Sequence, residues 1–118
     1  MPKLTVIATP TTGLNHIDIL EAKKRGIKVI SLRGRTSFLK NIPSTAEKTM
    51  ALLMASMRKL PWAFEYVKSG GWDRNRFRGN QLMGKTIGIV GLGRLGKMVA
   101  RYARAFHMEV IACDPHVA

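Results

Sequence analysis

The chain has 118 residues, 46% of them hydrophobic and 23% charged, enough for one core and too apolar for a disordered tail. No apolar run reaches the ~18 residues of a membrane span, and the opening Met-Pro-Lys lacks the charged and then apolar layout of a signal peptide. One cysteine excludes an internal disulfide framework and fits a reducing cytoplasm.

The charge balance is lopsided: 20 Lys and Arg against 7 Asp and Glu, a formal net charge of +13. Such a balance raises nucleic acid or an acidic surface as a partner. The bases are spread along the chain, however. Lys97, Arg101 and Arg104 form a stripe on the polar side of an amphipathic helix, the pattern of a solvated face. Arg74, Arg76 and Arg78 alternate beside Trp72 and Phe77, rings able to stack on bases. Attraction for an anionic cofactor and substrate accounts for the charge better than nucleic acid does, as does balance by sequence outside this chain.

Leu4–Ala8 reads as a buried strand, followed by the hydroxyl-rich loop Thr9-Pro-Thr-Thr-Gly13. Asn15 or His16 opens a helix through about Arg25, and Gly26 stops it. Lys28–Ser31 reads as a second strand, which makes a first βαβ unit. Its opening loop lies at the carboxyl end of a strand, where open α/β sheets bind ligands. Thr12 and Gly13 there are either a seat for an anion or an ordinary Thr-Gly turn. Leu32–Ile42 has no clear period and reads as a loop.

Pro43 and the capping box Ser44-x-x-Glu47 then start a helix. From Met50 to Met57 only Ser56 is polar, so this helix is expected buried between layers or at a subunit contact. Thr45 in its first turn either faces a bound anion or has a structural role only. Pro61–Lys68 reads as a further helix in which Trp62 and Tyr66 pack one turn apart, and Ser69-Gly70-Gly71 stops it. Residues 72–84 form a polar connection with aromatic anchors.

The chain is organised around Thr86–Gly96. The apolar run Ile87–Val90 ends in Gly91-x-Gly93-x-x-Gly96, and an amphipathic helix begins with Leu95, Val99, Ala103 and Phe106 on one face. A dinucleotide pyrophosphate needs this order of strand, glycine turn and helix. Gly91 permits the tight turn, Gly93 lets phosphate approach the backbone, and Gly96 lets the helix pack close on the strand. The helix N-terminus then turns its N–H groups and positive dipole end to the anion. A second strand, Glu109–Cys113, ends in Asp114, 18 residues past Gly96 and near the ~20 expected of the acid that holds the adenosine ribose. With no Arg or Lys after Asp114, the site reads as NAD rather than NADP. The alternatives are a glycine turn that binds nothing and a methyltransferase cofactor loop, which does not require Gly96.

His107 stands where a helix-stop glycine belongs. Cys113 reads as a buried structural thiol. His16, His107 and His116 form no metal-ligand spacing.

Thr12-Gly-Leu-Asn-His-Ile-Asp18, Ser44-Thr-Ala-Glu47, Gly71-Trp-Asp73 with Phe77-Arg-Gly79, the run from Gly84 to Gly96, and Asp114-Pro115 occur in this order. Together they resemble the NAD-dependent D-isomer-specific 2-hydroxyacid dehydrogenases, from Leu4 to Val117. The resemblance implies an α/β fold of incomplete Rossmann-like parallel units: βαβ, long buried helix, βαβ. Residues 1–39 are then the end of a substrate-binding domain and residues 40–118 the start of an NAD-binding Rossmann domain. It implies that Thr12 contacts the nicotinamide side of NAD and, with Gly13, the substrate carboxylate. Thr45 sits against the cofactor, Arg94 and Leu95 give N–H groups to the pyrophosphate beside Gly91, Gly93 and Gly96, and Asp114 holds the ribose diol. The implied reaction moves a hydride between NAD(H) and a small D-2-hydroxy or 2-oxo acid, in a cytoplasmic homodimer built partly on the buried helix. The family's catalytic Arg, acid and His lie beyond the equivalent of Ala118, so the chain is expected to be an inactive middle segment. The alternative is a truncated or repurposed module that binds a dinucleotide or a partner without turnover.

Overall fold

A computed structural model describes residues 3–117, which fall in two compact units divided between Ile42 and Pro43. The first contains β1 (Val6–Ala8), α1 (Ile19–Lys24), β2 (Lys28–Ile30) and α2 (Thr36–Leu39). Strands β1 and β2 pair in parallel, Ile7 opposite Val29, as a crossover through α1 requires. The sheet has one covered face: Ala22 of α1 is buried, whereas Leu4 and Val6 are exposed. The expectation of a buried strand over Leu4–Ala8 is therefore corrected: the strand is Val6–Ala8, with only Ile7 partly covered. Two more boundaries move. Residues 14–17 form a turn, Ile17 N–H on the Leu14 carbonyl at 3.0 Å, and α1 starts only after Asp18, whose carboxylate accepts the Glu21 N–H at 2.9 Å. The acid takes the N-cap ahead of Asn15 and His16 because its side chain sits three residues before the orphan N–H. The segment 32–42 also carries one short helix, α2, where a loop was expected.

The second unit contains α3 (Ser44–Met57), α4 (Leu60–Lys68), β3 (Thr86–Val90), α5 (Arg94–Ala105) and β4 (Glu109–Cys113). Strands β3 and β4 pair in parallel over five residues, from Thr86 opposite Glu109 to Val90 opposite Cys113. Each unit is thus a two-stranded parallel βαβ, the α/β class read from the sequence. Ile87, Ile89, Leu95, Val99 and Tyr102 pack with Ala46 and Met50 of α3, so α3 and α5 share one face of the sheet. Leu82, Ala103 and Met108 form a second cluster with Leu53 and Met57.

Helix α3 departs from expectation in two ways. It already includes Ser44, with Pro43 at the N-cap in helical geometry and no side-chain cap, so the capping box does not form. It is also not buried all round: Ala46 and Met50 are buried, while Leu52 is 62% exposed. Helix α4 follows Lys59 in the left-handed region, with Pro61 in its first turn. Tyr66 packs on Phe77, ring centroids 5.4 Å apart, and Trp62 is exposed. The guanidinium of Arg76 lies 4.5 Å from the Tyr66 ring centre. Phe77 is therefore the anchor of the connection, and Trp72, 88% exposed, is not.

The outer face of the β3–β4 sheet has no covering element among the described residues. Val90 and Ile111 are exposed, and so is Cys113, contrary to the buried thiol expected. All three project on the side away from α3 and α5, by the two-residue alternation of a strand.

Candidate functional site: the glycine turn after β3

Strand β3 runs out at Val90 and the chain reverses at Gly91. Gly91 has φ +94°, a conformation that L side chains rarely adopt. Its N–H donates to the Cys113 carbonyl at 2.8 Å, extending the parallel ladder by one rung. The next N–H, of Leu92, donates to Oδ2 of Asp114 at 2.6 Å. Gly93 is the N-cap of α5, extended and without a side-chain cap. Its carbonyl accepts the Lys97 N–H at 3.0 Å. The first-turn N–H groups that come next, Leu95 among them, have no intrahelical acceptor. No acidic side chain lies in that turn.

The three glycines differ in why they are needed. A Cβ on Gly96 runs into the backbone carbonyl of Gly91, a contact with no flexible side chain to yield. Helix and strand thus meet backbone to backbone, and any side chain at 96 forces them apart. Gly93 has open space around its missing Cβ, nothing lying within 4 Å. That space fits an anion approaching the N-terminus of α5, where N–H groups and the positive dipole end converge. A half-buried carboxylate, Asp114, stands at the end of the adjoining strand. These residues fit a dinucleotide: a bare turn for the pyrophosphate and an acceptor for the ribose hydroxyls beside it.

Gly91, Gly93, Arg94, Leu95, Gly96 and Asp114 are thus gathered at the carboxyl ends of β3 and β4. Thr45 lies in the same unit, exposed in the first turn of α3, with its carbonyl accepting the Thr49 hydroxyl at 2.8 Å. Its neighbour Ala46 is fully buried against the α5 cluster. Thr12 and Gly13 belong to the other unit, in the loop after β1, and both are exposed. That loop is braced by residues that sequence reasoning missed. The Thr11 hydroxyl donates to the Gly13 carbonyl at 2.7 Å, and Thr9 Oγ1 lies 2.9 Å from Thr11 Oγ1 and 3.2 Å from His16 Nε2. The signal was present as three threonines in four positions, each able to bond a backbone or hydroxyl two residues away. Among the described residues no group of three His, Cys, Asp or Glu could hold a metal ion, and no helix is long and apolar enough to cross a membrane.

The model of the D-isomer specific 2-hydroxyacid dehydrogenase NAD binding domain matches residues 50–118, and that of the same family's catalytic domain matches residues 1–59. The chain belongs to this family. Its members are NAD-dependent oxidoreductases, and the glycine turn lies within the matched NAD binding domain. D-3-phosphoglycerate dehydrogenase of Methanocaldococcus jannaschii is 42% identical over 115 residues, 98% of this chain and 21% of that protein. Hydroxypyruvate reductase of Thermotoga maritima is 40% identical over 112 residues, 95% of this chain and 35% of that protein. Among solved structures, D-lactate dehydrogenase from Aquifex aeolicus, complexed with NAD and lactic acid, matches with a TM-score of 0.75 and 31% identity. That match covers all of this chain and 34% of that one. The chain spans about a fifth to about a third of the length of these relatives.

Proposed function

We propose that this chain is the cofactor-cradling part of an enzyme that transfers a hydride between NAD(H) and a small D-2-hydroxy or 2-oxo acid. The observation that carries the proposal is the backbone meeting of Gly96 and Gly91 together with a bare Gly93 at the N-terminus of α5 and Asp114 beside the turn. In this reading residues 1–39 end a substrate-binding domain and residues 40–118 open the NAD-binding domain. The N–H groups of Arg94 and Leu95 bind the pyrophosphate, Asp114 the ribose diol, Thr45 the cofactor's flank, and Thr12 and Gly13 the nicotinamide side and substrate carboxylate. Bound NAD would accept the hydride, and NADH would donate it, while this chain's own residues hold and orient the cofactor.

The catalytic Arg, acid and His are supplied from outside residues 1–118, so the chain alone binds without turning over. The whole enzyme is read as a homodimer, a role for which the mostly apolar run Met50–Met57 of α3 is suited, and the single cysteine supports a cytoplasmic site. The test is a fluorescence titration of the chain with NADH, beside an assay with 2-oxo acids. Saturable NADH binding without substrate turnover is expected. No binding to a folded chain overturns the cofactor reading, and turnover overturns the division of labour.

A further inference from the structure

The carboxylate of Asp114 carries one backbone N–H on each oxygen. Oδ2 accepts from Leu92 at 2.6 Å and Oδ1 from His116 at 2.8 Å. The first bond spans 22 residues. Leu92 belongs to neither β3 nor α5. The ladder between the two strands ends one residue earlier, with Gly91 N–H on Cys113. The Asp114 side chain therefore continues the strand pairing into the turn and ties the approach to α5 to the end of β4.

We infer that Asp114 is a positioning residue for the pyrophosphate cradle as well as a ribose ligand, its two oxygens shaping the turn of this chain. The inference rests on the NAD reading proposed above. Its chemical basis is the count of acceptors. An ionised carboxylate accepts on both oxygens, with about four lone-pair sites in all, so two N–H groups do not exhaust it. An asparagine presents one oxygen and one NH₂ group, which cannot accept. At position 114 it leaves either Leu92 or His116 facing a donor. Removing the charge to admit a 2′-phosphate therefore also loosens the turn that receives the pyrophosphate, so cofactor preference and cradle shape are set by the same two oxygens.

The test separates the two roles with a ligand that has the pyrophosphate and lacks the diol. Wild type and Asp114→Asn are titrated calorimetrically with NADH, with ADP and with 2′,3′-dideoxy-ADP. A positioning role predicts that D114N loses affinity for the dideoxy nucleotide as well, by about tenfold. Equal affinity of both proteins for it, with wild type binding NADH, overturns the inference and leaves the NAD reading standing. Wild type that binds none of the three overturns both. Amide exchange in unliganded wild type gives a second readout, which also serves if D114N does not fold. The Leu92 N–H should exchange at least about tenfold more slowly than an open loop, and exchange at the open-loop rate overturns the inference.

Discussion

Gly84 donates its N–H to the carbonyl of His107 at 3.0 Å, which joins the entrance of β3 to the entrance of β4. His107 holds that carbonyl in place from the left-handed region, at φ 55°. Its own N–H bonds the Arg104 carbonyl at 2.9 Å, and the Met108 N–H bonds the Ala103 carbonyl at 3.1 Å, so two carbonyls of the last turn of α5 are satisfied by His107 and the residue after it. The fold needs the conformation and gains nothing evident from the exposed imidazole. His107→Gly is therefore expected to stabilise the chain by about 1 kcal/mol, the strain of a non-glycine residue at positive φ. Thermal unfolding checks it. A melting temperature that falls on this substitution refutes the account of the helix stop.

Alanine at Gly96 of α5 and alanine at Gly88 of β3 should have different consequences. A Cβ at 96 meets the Gly91 carbonyl carbon and oxygen, whereas a Cβ at 88 meets nothing within 4 Å. Gly96→Ala should cost about 2 kcal/mol or more, as overpacking against backbone does, and should weaken NADH binding because α5 and the turn move apart. Gly88→Ala should stay within about 0.5 kcal/mol of wild type. Denaturant melts and an NADH titration of both variants measure this. Equal destabilisation of the two would show that the close approach at Gly96 is not what holds the cradle.

Much of this was legible from residue order. The glycine spacing marked the turn because each glycine answers a separate steric demand, and His107 betrayed itself as the residue standing where a stop glycine belongs. Boundaries set by competition between neighbours were harder. Asn15, His16 and Asp18 all stand ahead of this helix, and the cap falls to Asp18, whose carboxylate lies three residues before the Glu21 N–H it accepts. Ser44 and Glu47 satisfy the capping-box spacing, yet the helical geometry of Pro43 starts the helix one residue too early for the box to close. Burial was the least legible. An apolar run says that a segment can be buried, but whether Leu52 or Cys113 is covered depends on which elements pack over it, and their own sequence does not carry that.

Cofactor choice should depend on the charge at Asp114. An ionised carboxylate accepts bonds from a free 2′-hydroxyl and repels a 2′-phosphate. Pro115, His116 and Val117 after it provide no guanidinium or ammonium to offset that repulsion. NADH should therefore bind more tightly than NADPH by at least about tenfold, equivalent to about 1.4 kcal/mol. A competition titration decides the matter. Comparable affinities would mean that a cation elsewhere in the structure meets the 2′-phosphate.

One face of the β3–β4 sheet is left bare by the described residues. Val90 is 94% exposed and Ile111 63%, and Cys113 pairs with Val90 in the register of the sheet, so the thiol sits on the same face. Covered strands of a parallel sheet are apolar on both sides because helices pack on each, and β3 and β4 have that composition with one side uncovered. The thiol of Cys113 should thus react with an aromatic disulfide reagent in the native chain, one equivalent per chain, at the rate of a free cysteine and without denaturant. The reaction should slow as protein concentration rises, since association of copies is the ready way to remove an apolar face from water. Slow reaction at every concentration, released only by denaturant, would show that the chain covers this face itself.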